Sequence, residues 1–388
     1  MIMERPRVSV SNRGAARWVR GHPWIFRSDV VSPTPEAGVV PVEDPSGRFL
    51  GQALCSPRSE IRLRLIERTE QVLDHQWWTE RLAAAIGRRS GIEATAYRLV
   101  HGEGDGLPSL VVDRYDQWLV VQLLSAGLET MRGEIVTALV DLVKPRGILL
   151  RNDAPVRRYE GLPEMVELVH GQVPEWIEVV EGPVRYLAAP WSGQKTGAFL
   201  DQRPNRILAG ELAHAGGEAL DCFAYHGSFA LHLARRAGTV LAQDTSPEAL
   251  ERGAENARLN GLSNIEWRVG DAFDVLRDFE HRRRRFDTIV LDPPAFAKSK
   301  SAVSSALRGY KEINLRALRI LRPGGTLLTA SCSFHVSRPQ FLQMLADAAA
   351  DSGRRVHLTR ILGQDVDHPE ILTIPETGYL KGAVLRVE

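Results

Sequence analysis

Three cysteines in 388 residues, Cys55, Cys222 and Cys332, are too few and too irregularly spaced for a disulfide framework or a zinc site. A sparse, odd set is that of reduced thiols in a cytoplasmic protein, and no metal is expected. Charge of one sign is also missing: 49 Lys and Arg face 48 Asp and Glu, a net of +1. Bulk electrostatics therefore advertise no nucleic-acid partner, and any such surface has to be a local patch. No apolar run is long enough to span a bilayer, so no membrane partner is expected. The opening MIMERPRVSV holds no apolar signal core. There is no internal repeat and no low-complexity tract.

What is present is organised around residues 219–294. ALDCFAYHGSFALHLARRAG is followed by VLAQDTSPEALERGAENARLNG, then WRVGDAFDVL, then FDTIVLDPPAF. Each opens as a short apolar strand closing on an acid, and helices follow the first two. Asp221, Asp244, Asp271 and Asp292 thus fall at four successive strand ends, the edge at which an open parallel sheet binds ligands. Gly227 in the first turn lets backbone approach a ligand closely. Asp244 suits a carboxylate accepting from ribose hydroxyls, and Asp271 one accepting from an exocyclic amine such as adenine's, or else a turn cap. The turn FAYHGSF lacks a G-x-G-x-x-G phosphate cradle, which disfavours a dinucleotide dehydrogenase and points to a nucleoside without a diphosphate. Pro293 and Pro294 stiffen the backbone after Asp292.

DCFAYHGSFA, the turn Asp244-Thr245-Ser246, GDAF and LDPPAF resemble the S-adenosylmethionine motifs of class I methyltransferases. TGAFLDQR before the first strand and RGYKEINLRAL, LRPGGTLLTASCS, DHPE and YLK after it extend the resemblance to essentially the whole chain. The chain is similar to the large-subunit ribosomal RNA cytosine-C5 methyltransferase family that carries an N-terminal PUA domain. The resemblance implies an α/β, Rossmann-like methyltransferase sheet at the C-terminus, preceded by a PUA-type β-barrel and a small α+β middle domain. It implies S-adenosylmethionine as cofactor, with Asp221, Phe223, Tyr225, Gly227, Ser228, Asp244, Thr245, Ser246, Asp271, Ala272, Phe273, Asp292 and Pro293 as its binding residues. Lys195, Phe199 and Gln202 belong to a segment that folds over the cofactor in that family. His226 departs from the pattern, which has a small polar residue there. The implied partner is 23S ribosomal RNA or a large-subunit assembly intermediate, and a homodimer is the commonest arrangement for a soluble oligomer.

C5 of cytosine is a poor nucleophile. Enzymes that methylate it first add a thiolate to C6, and the resulting enamine attacks the methyl donor. Cys332 follows the apolar strand TLLTA, in SCS, where the resembling family carries its nucleophile. Strand order in such sheets puts it beside Asp292, the candidate to hydrogen-bond or protonate cytosine N3. Cys55 and Cys222 read as small buried hydrophobes. The base that removes the C5 proton is not identifiable, and His335 and His368 read equally well as structural or catalytic. Two alternatives stay open: a methylase acting on a guanine or adenine amine through the Asp-Pro-Pro loop, and a noncatalytic RNA-binding factor.

The length calls for two or three domains: residues 1–70, PUA-like; 74–180, α+β; and 181–388, the methyltransferase domain. VSVSN, VVPVED, FLGQALC and IRLRLIE are the N-terminal strand candidates, interrupted by a helical piece in RGAARWVRGHPWIFRSDV. Residues 1–68 hold eleven arginines against seven acids. Arg13, Arg17 and Arg20 share a helix face, and with His22 and Trp24 are the RNA-binding candidates. Trp24 serves equally well as core. In the middle segment, DHQWWTERLAAAIGRRSGI and LETMRGEIVTALVDLV read as helices; Glu103, Asp105, Asp113 and Arg114 could orient substrate or a domain interface, but a turn with solvated acids is the favoured reading. HRRRR at 281–285 reads as a solvated run before a buried strand, with RNA contact as the less favoured alternative.

Overall fold

The computed structural model describes residues 6–388; residues 1–5, including Glu4, Arg5 and the start of the segment read for a signal core, lie outside the described residues. The chain packs as two compact units. One comprises the chain up to Val179 with Ala188–Leu200 and Val366–Thr377, the other Val180–Leu187, Asp201–Asp365 and Gly378–Glu388. Among the described residues no helix is long and apolar enough to cross a membrane.

In the first unit, five strands form a sheet in the order Val8–Ser9, Gly38–Glu43, Phe49–Cys55, Ile61–Glu67, Trp24–Phe26. The two edges curl together through a bridge between Val10 and Val30 and a hydrogen bond from Val31 N to Ser9 O. This closes a small barrel around Val8, Trp18, Ile25, Val42 and Leu63. The helical piece is short, and Arg20 is its C-cap. It runs Asn12–Val19, capped by Ser11, and the chain then turns at Gly21 (φ +91°) and Pro23. Trp24–Phe26 is a strand because it pairs with residues 61–64, a partner remote in sequence.

A second sheet in this unit has the order Met165–Gly171, Gly147–Asn152, Trp118–Leu123, Leu110–Tyr115, Ala96–His101. Helices His75–Gly87 and Arg132–Val143 pack on it, burying Trp78, Leu82, Ile135 and Leu139. Each such side chain contributes about 1.5–3 kcal/mol of burial. Two of the middle-segment acids, Asp105 and Asp113, are not solvated. Asp105 is buried against Arg89 and accepts from His101 N; Asp113 is buried and bidentate with Arg98. Gly-Asp-Gly chemistry makes the turn, but the arginines draw its carboxylates inward.

The second unit is a seven-stranded sheet ordered Ile265–Val269, Thr239–Asp244, Glu218–Cys222, Phe286–Leu291, Leu321–Ser331, Lys381–Val387, Val356–Leu362. The first five strands are mutually parallel, and Lys381–Val387 runs antiparallel between Leu321–Ser331 and Val356–Leu362. The parallel strands are apolar on both faces because helices cover both. The helix Pro247–Leu259 is delimited as its sequence dictates: the Ser246 side chain accepts from Ala249 N, Pro247 opens it, and Gly261 (φ +66°) lies just beyond it.

Candidate active site

The direction of chain travel reverses between Glu218–Cys222 and Phe286–Leu291, which are neighbours in the sheet. Beside such a switch point the carboxyl ends of the strands leave a crevice. The ladder register fixes the depth of each acid. Asp221 pairs with Val290 and with Ala242, Ala242 pairs with Trp267, and Val290 pairs with Leu328. Asp244 and Asp292 therefore lie two residues further out than Asp221, about 7 Å along the strands. Asp271 and Cys332 lie further out again.

Asp221 is fully buried; its Oδ2 accepts from Ala230 N at 2.9 Å, and its Oδ1 has no hydrogen-bond partner among the described residues. Burial pushes its carboxyl well above the ordinary range, and Asp292 and Asp244 add to the shift. The following turn doubles back onto the next strand: Ala224 N donates to Gln243 O, and Tyr225 N to Asp244 Oδ2 at 2.8 Å. To do so Phe223 and Tyr225 adopt left-handed conformations (φ +66° and +50°). Such strain costs on the order of 1–3 kcal/mol per residue and clusters at ligand sites. Gly227 (φ +81°) is required by packing as well, since a Cβ there would collide with the Trp267 ring. Ser228 begins the next helix. His226, the departure from the family pattern, is buried with its ring stacked 5.3 Å from Tyr186, and its carbonyl accepts from Asn256 Nδ2. Burial drives its pKa down to about 3, so it is neutral.

Asp244 also accepts from Ser246 N through Oδ1 at 3.0 Å, while Thr245 is exposed. Asp271 caps the helix Ala272–His281, its Oδ1 accepting from Phe273 N at 2.8 Å. Ala272 is buried, and the half-buried Phe273 ring lies 5.9 Å from Phe296.

Asp292 Oδ1 accepts from Gln202 Nε2 at 2.8 Å, and Asn205 Nδ2 donates to Gln202 Oε1. Because Leu291 pairs with Thr329, the residues after the two strands emerge side by side. Cys332 Sγ lies 3.9 Å from Pro293 O. Among the described residues Cys332 is the one cysteine that is partly exposed. Burial pushes the Cys55 thiol up to about 11 and the Cys222 thiol well above its ordinary value, as befits small core residues.

Sequence reasoning missed the groups that hold these two loops together. The buried Tyr310 hydroxyl shares a 2.8 Å hydrogen bond with Ser333 Oγ, which also accepts from Ala297 N at 3.0 Å. Phe296 N donates to the same tyrosine oxygen at 3.4 Å. Lys381, 2% exposed, donates from Nζ to Ser333 O and Tyr379 O, each at 2.7 Å. Tyr310 lies in RGYKEINLRAL and Lys381 in YLK, so the motifs were visible while the contacts were not.

The remaining candidates lie elsewhere. In the first unit Lys195 Nζ sits 4.7 Å over the Phe199 ring. Arg13 and Arg17 both reach the buried Asp29, at 2.6 and 3.6 Å, and Arg17 also covers the Phe26 ring. His22 is 3.1 Å from Glu376 and edge-on to Trp24, whose indole N–H donates to Glu103 at 2.8 Å. Trp24 is half-buried, and Trp18 is the core indole. Arg20 is exposed. His368 bonds Asp367, while His335 is edge-on to Phe334. The run 281–285 precedes the strand Phe286–Leu291, at the end of the sheet opposite Asp292, and Arg282 pairs with Asp278.

Residues 98–384 match the family model of S-adenosylmethionine-dependent methyltransferases, and residues 8–68 that of the PUA-like domain. Curated relatives named ribosomal RNA large subunit methyltransferase I are similar along nearly the whole chain. That of Tolumonas auensis is 41% identical, covering 95% of this chain and 96% of its own, and that of Shewanella amazonensis 40% over the same shares. Among solved structures, a putative methyltransferase complexed with SAH has a TM-score of 0.86 at 21% identity, covering 98% of this chain and all of that one. A putative S-adenosylmethionine-dependent methyltransferase from Streptococcus mutans has a TM-score of 0.84 at 20% identity, with the same coverage. At those identities the likeness shows the fold. The chain belongs to the S-adenosylmethionine-dependent methyltransferase family, among the ribosomal RNA large subunit methyltransferases I.

Proposed function

We propose that this chain is a cytoplasmic enzyme that transfers a methyl group from S-adenosylmethionine to C5 of a cytosine in large-subunit (23S) ribosomal RNA. The relatives' names supply the RNA. The observation that carries the base and the mechanism is the 3.9 Å approach of Cys332 Sγ to the Asp-Pro-Pro loop.

The chain's own residues fit the cofactor. Asp221 holds a buried carboxyl oxygen without a partner among the described residues at the bottom of the crevice, and the strained turn 223–227 follows it. Asp221, Asp244 and Asp271 offer acceptors at three depths, suited to an amino group, a ribose and an exocyclic amine. When bound, S-adenosylmethionine supplies an electrophilic methyl group.

Cys332, as thiolate, adds to C6 of the cytosine and forms the S–C6 bond. Asp292, oriented by Gln202, hydrogen-bonds or protonates N3, so that the displaced electron pair is accommodated in the ring. The enamine so formed carries nucleophilic density at C5. After methyl transfer the C5 proton is lost to a base, the C5–C6 double bond re-forms, and the Cys332 sulfur leaves.

The test uses labelled S-adenosylmethionine and large-subunit RNA from cells lacking the endogenous enzyme, with nucleoside analysis of the product. 5-Methylcytosine supports the reading. A methylated guanine or adenine amine makes Asp292 the centre of a different reaction. Free RNA compared with a partly assembled subunit in the same assay identifies the substrate form, and sedimentation tests for a two-fold dimer.

A further inference from the structure

The chain contains six lysines: Lys144, Lys195, Lys298, Lys300, Lys311 and Lys381. Three of them fall within residues 298–311, immediately after the Asp-Pro-Pro loop. From Pro293 to Lys311 the sequence holds Lys298, Lys300, Arg308 and Lys311 and no acid. Lys311 pairs with Asp351. Lys298, Lys300 and Arg308 are exposed, and among the described residues their side chains make no ion pair or hydrogen bond. This is unusual in a molecule whose arginines are extensively paired. The next acid, Glu312, already serves Arg277 and Arg316.

These cations stand on the lip of the site just described. Lys298 is one residue from Ala297, whose N–H bonds Ser333 Oγ. Phe334 follows Ser333 and is 51% exposed. One hydrogen bond therefore joins the backbone that carries Lys298 to the turn that carries Cys332 and Phe334. Arg308 precedes Gly309, which packs against the Phe296 ring of the same loop, and Tyr310, which bonds Ser333. An exposed aromatic ring on one loop and uncompensated cations on the loop bonded to it are the elements that bind single-stranded nucleic acid: the cations meet phosphates, and a base stacks on the ring.

We propose that Lys298, Lys300, Arg308 and Phe334 form a docking strip for the single-stranded RNA flanking the target nucleotide. The strip is a second RNA contact, distinct from the N-terminal arginines, and rests on the RNA-methylating reading above. It would hold the strand where the target base can turn in toward Cys332.

The experiment titrates the full-length protein with a protein-free large-subunit ribosomal RNA transcript at a series of salt concentrations. Wild type is compared with the triple variant Lys298→Ala/Lys300→Ala/Arg308→Ala and with Phe334→Ala. Each lost phosphate contact on a single strand lowers the slope of log affinity against log salt by about 0.7, so the triple variant loses about 2 from its slope. Phe334→Ala weakens binding by about ten- to a hundredfold with the slope unchanged, and Phe334→Trp restores it. A control removes two cations of the run at the far end of the sheet, Arg282→Ala/Arg285→Ala, and keeps wild-type affinity. The proposal is overturned if the triple variant keeps the wild-type slope and affinity, or if the control loses as much. Product analysis with wild type is independent: absence of 5-methylcytosine rejects the reaction, while the binding series still decides the strip.

Discussion

The Cys332 sulfur and the Pro293 carbonyl oxygen lie 3.9 Å apart, although 39 residues separate them in the chain. Two parallel strands in register, Phe286–Leu291 and Leu321–Ser331, bring them together. The loops beyond those strands are then held by side chains, and each of those side chains can be tested.

Tyr310→Phe removes the hydroxyl shared by Ser333 Oγ and the Phe296 amide. Ser333 keeps its bond from Ala297 N, so the fold survives. A net hydrogen bond is worth about 1 kcal/mol. The turnover number is expected to fall roughly fivefold, by that same ~1 kcal/mol, with little change in KM for RNA. Steady-state kinetics checks this; a change confined to KM would refute a positioning role.

Gln202→Leu leaves Asp292 Oδ1 without its 2.8 Å donor. Hydrogen bonds to charged groups contribute about 1.5–3 kcal/mol, so product formation is expected to fall at least about tenfold. Gln202→Glu is expected to be worse, because it sets a second carboxylate against Asp292. Single-turnover assays separate this effect from RNA binding.

Gly227→Ala places a Cβ against the Trp267 ring at a residue with φ +81°. The expected loss of stability is about 1–3 kcal/mol or more. Affinity for S-adenosylmethionine is expected to weaken too, because the turn 223–227 must shift. Denaturant unfolding and calorimetric titration read the two effects separately.

His226 gives the second unit an acid sensitivity. Its pKa falls from an ordinary 6.5 to about 3 through burial. Between those values the unfolded chain takes up a proton that the folded chain does not. Stability is therefore complete above pH 6.5 and declines as pH falls, by up to about 1.4 kcal/mol per pH unit. Glu181, held down to about 2 by Arg206 and His232 against its own burial, loses its contribution only below its ordinary 4.5. In the interval from pH 6.5 to 4.5 Glu181 therefore contributes no slope, and the raised carboxyl of Asp221 works in the direction opposite to the histidines. His226→Phe keeps a ring beside Tyr186 and removes the titration. Its unfolding free energy should vary less steeply across that interval than that of wild type.

Local chemistry was readable in the sequence where neighbouring residues settle the outcome. Ser246, Pro247 and Gly261 delimit a helix by themselves, and the four acids at apolar strand ends follow from hydrophobic patterning. What escaped depends on partners far along the chain. Trp24–Phe26 is a strand only because residues 61–64 pair with it. Asp105 and Asp113 are buried only because Arg89 and Arg98 meet them. Tyr310 sits on an apolar helix face and reads as core until its hydroxyl is seen against Ser333. Gly227 reads as a close approach to a ligand, while the group pressed against it is Trp267.

The most direct measurement compares wild type with Cys332→Ala on large-subunit RNA from cells lacking the enzyme, using labelled S-adenosylmethionine. The account predicts 5-methylcytosine with wild type and none with the variant, which should still bind RNA and cofactor. Continued methyl transfer by Cys332→Ala would contradict it and take the chemistry away from the thiol.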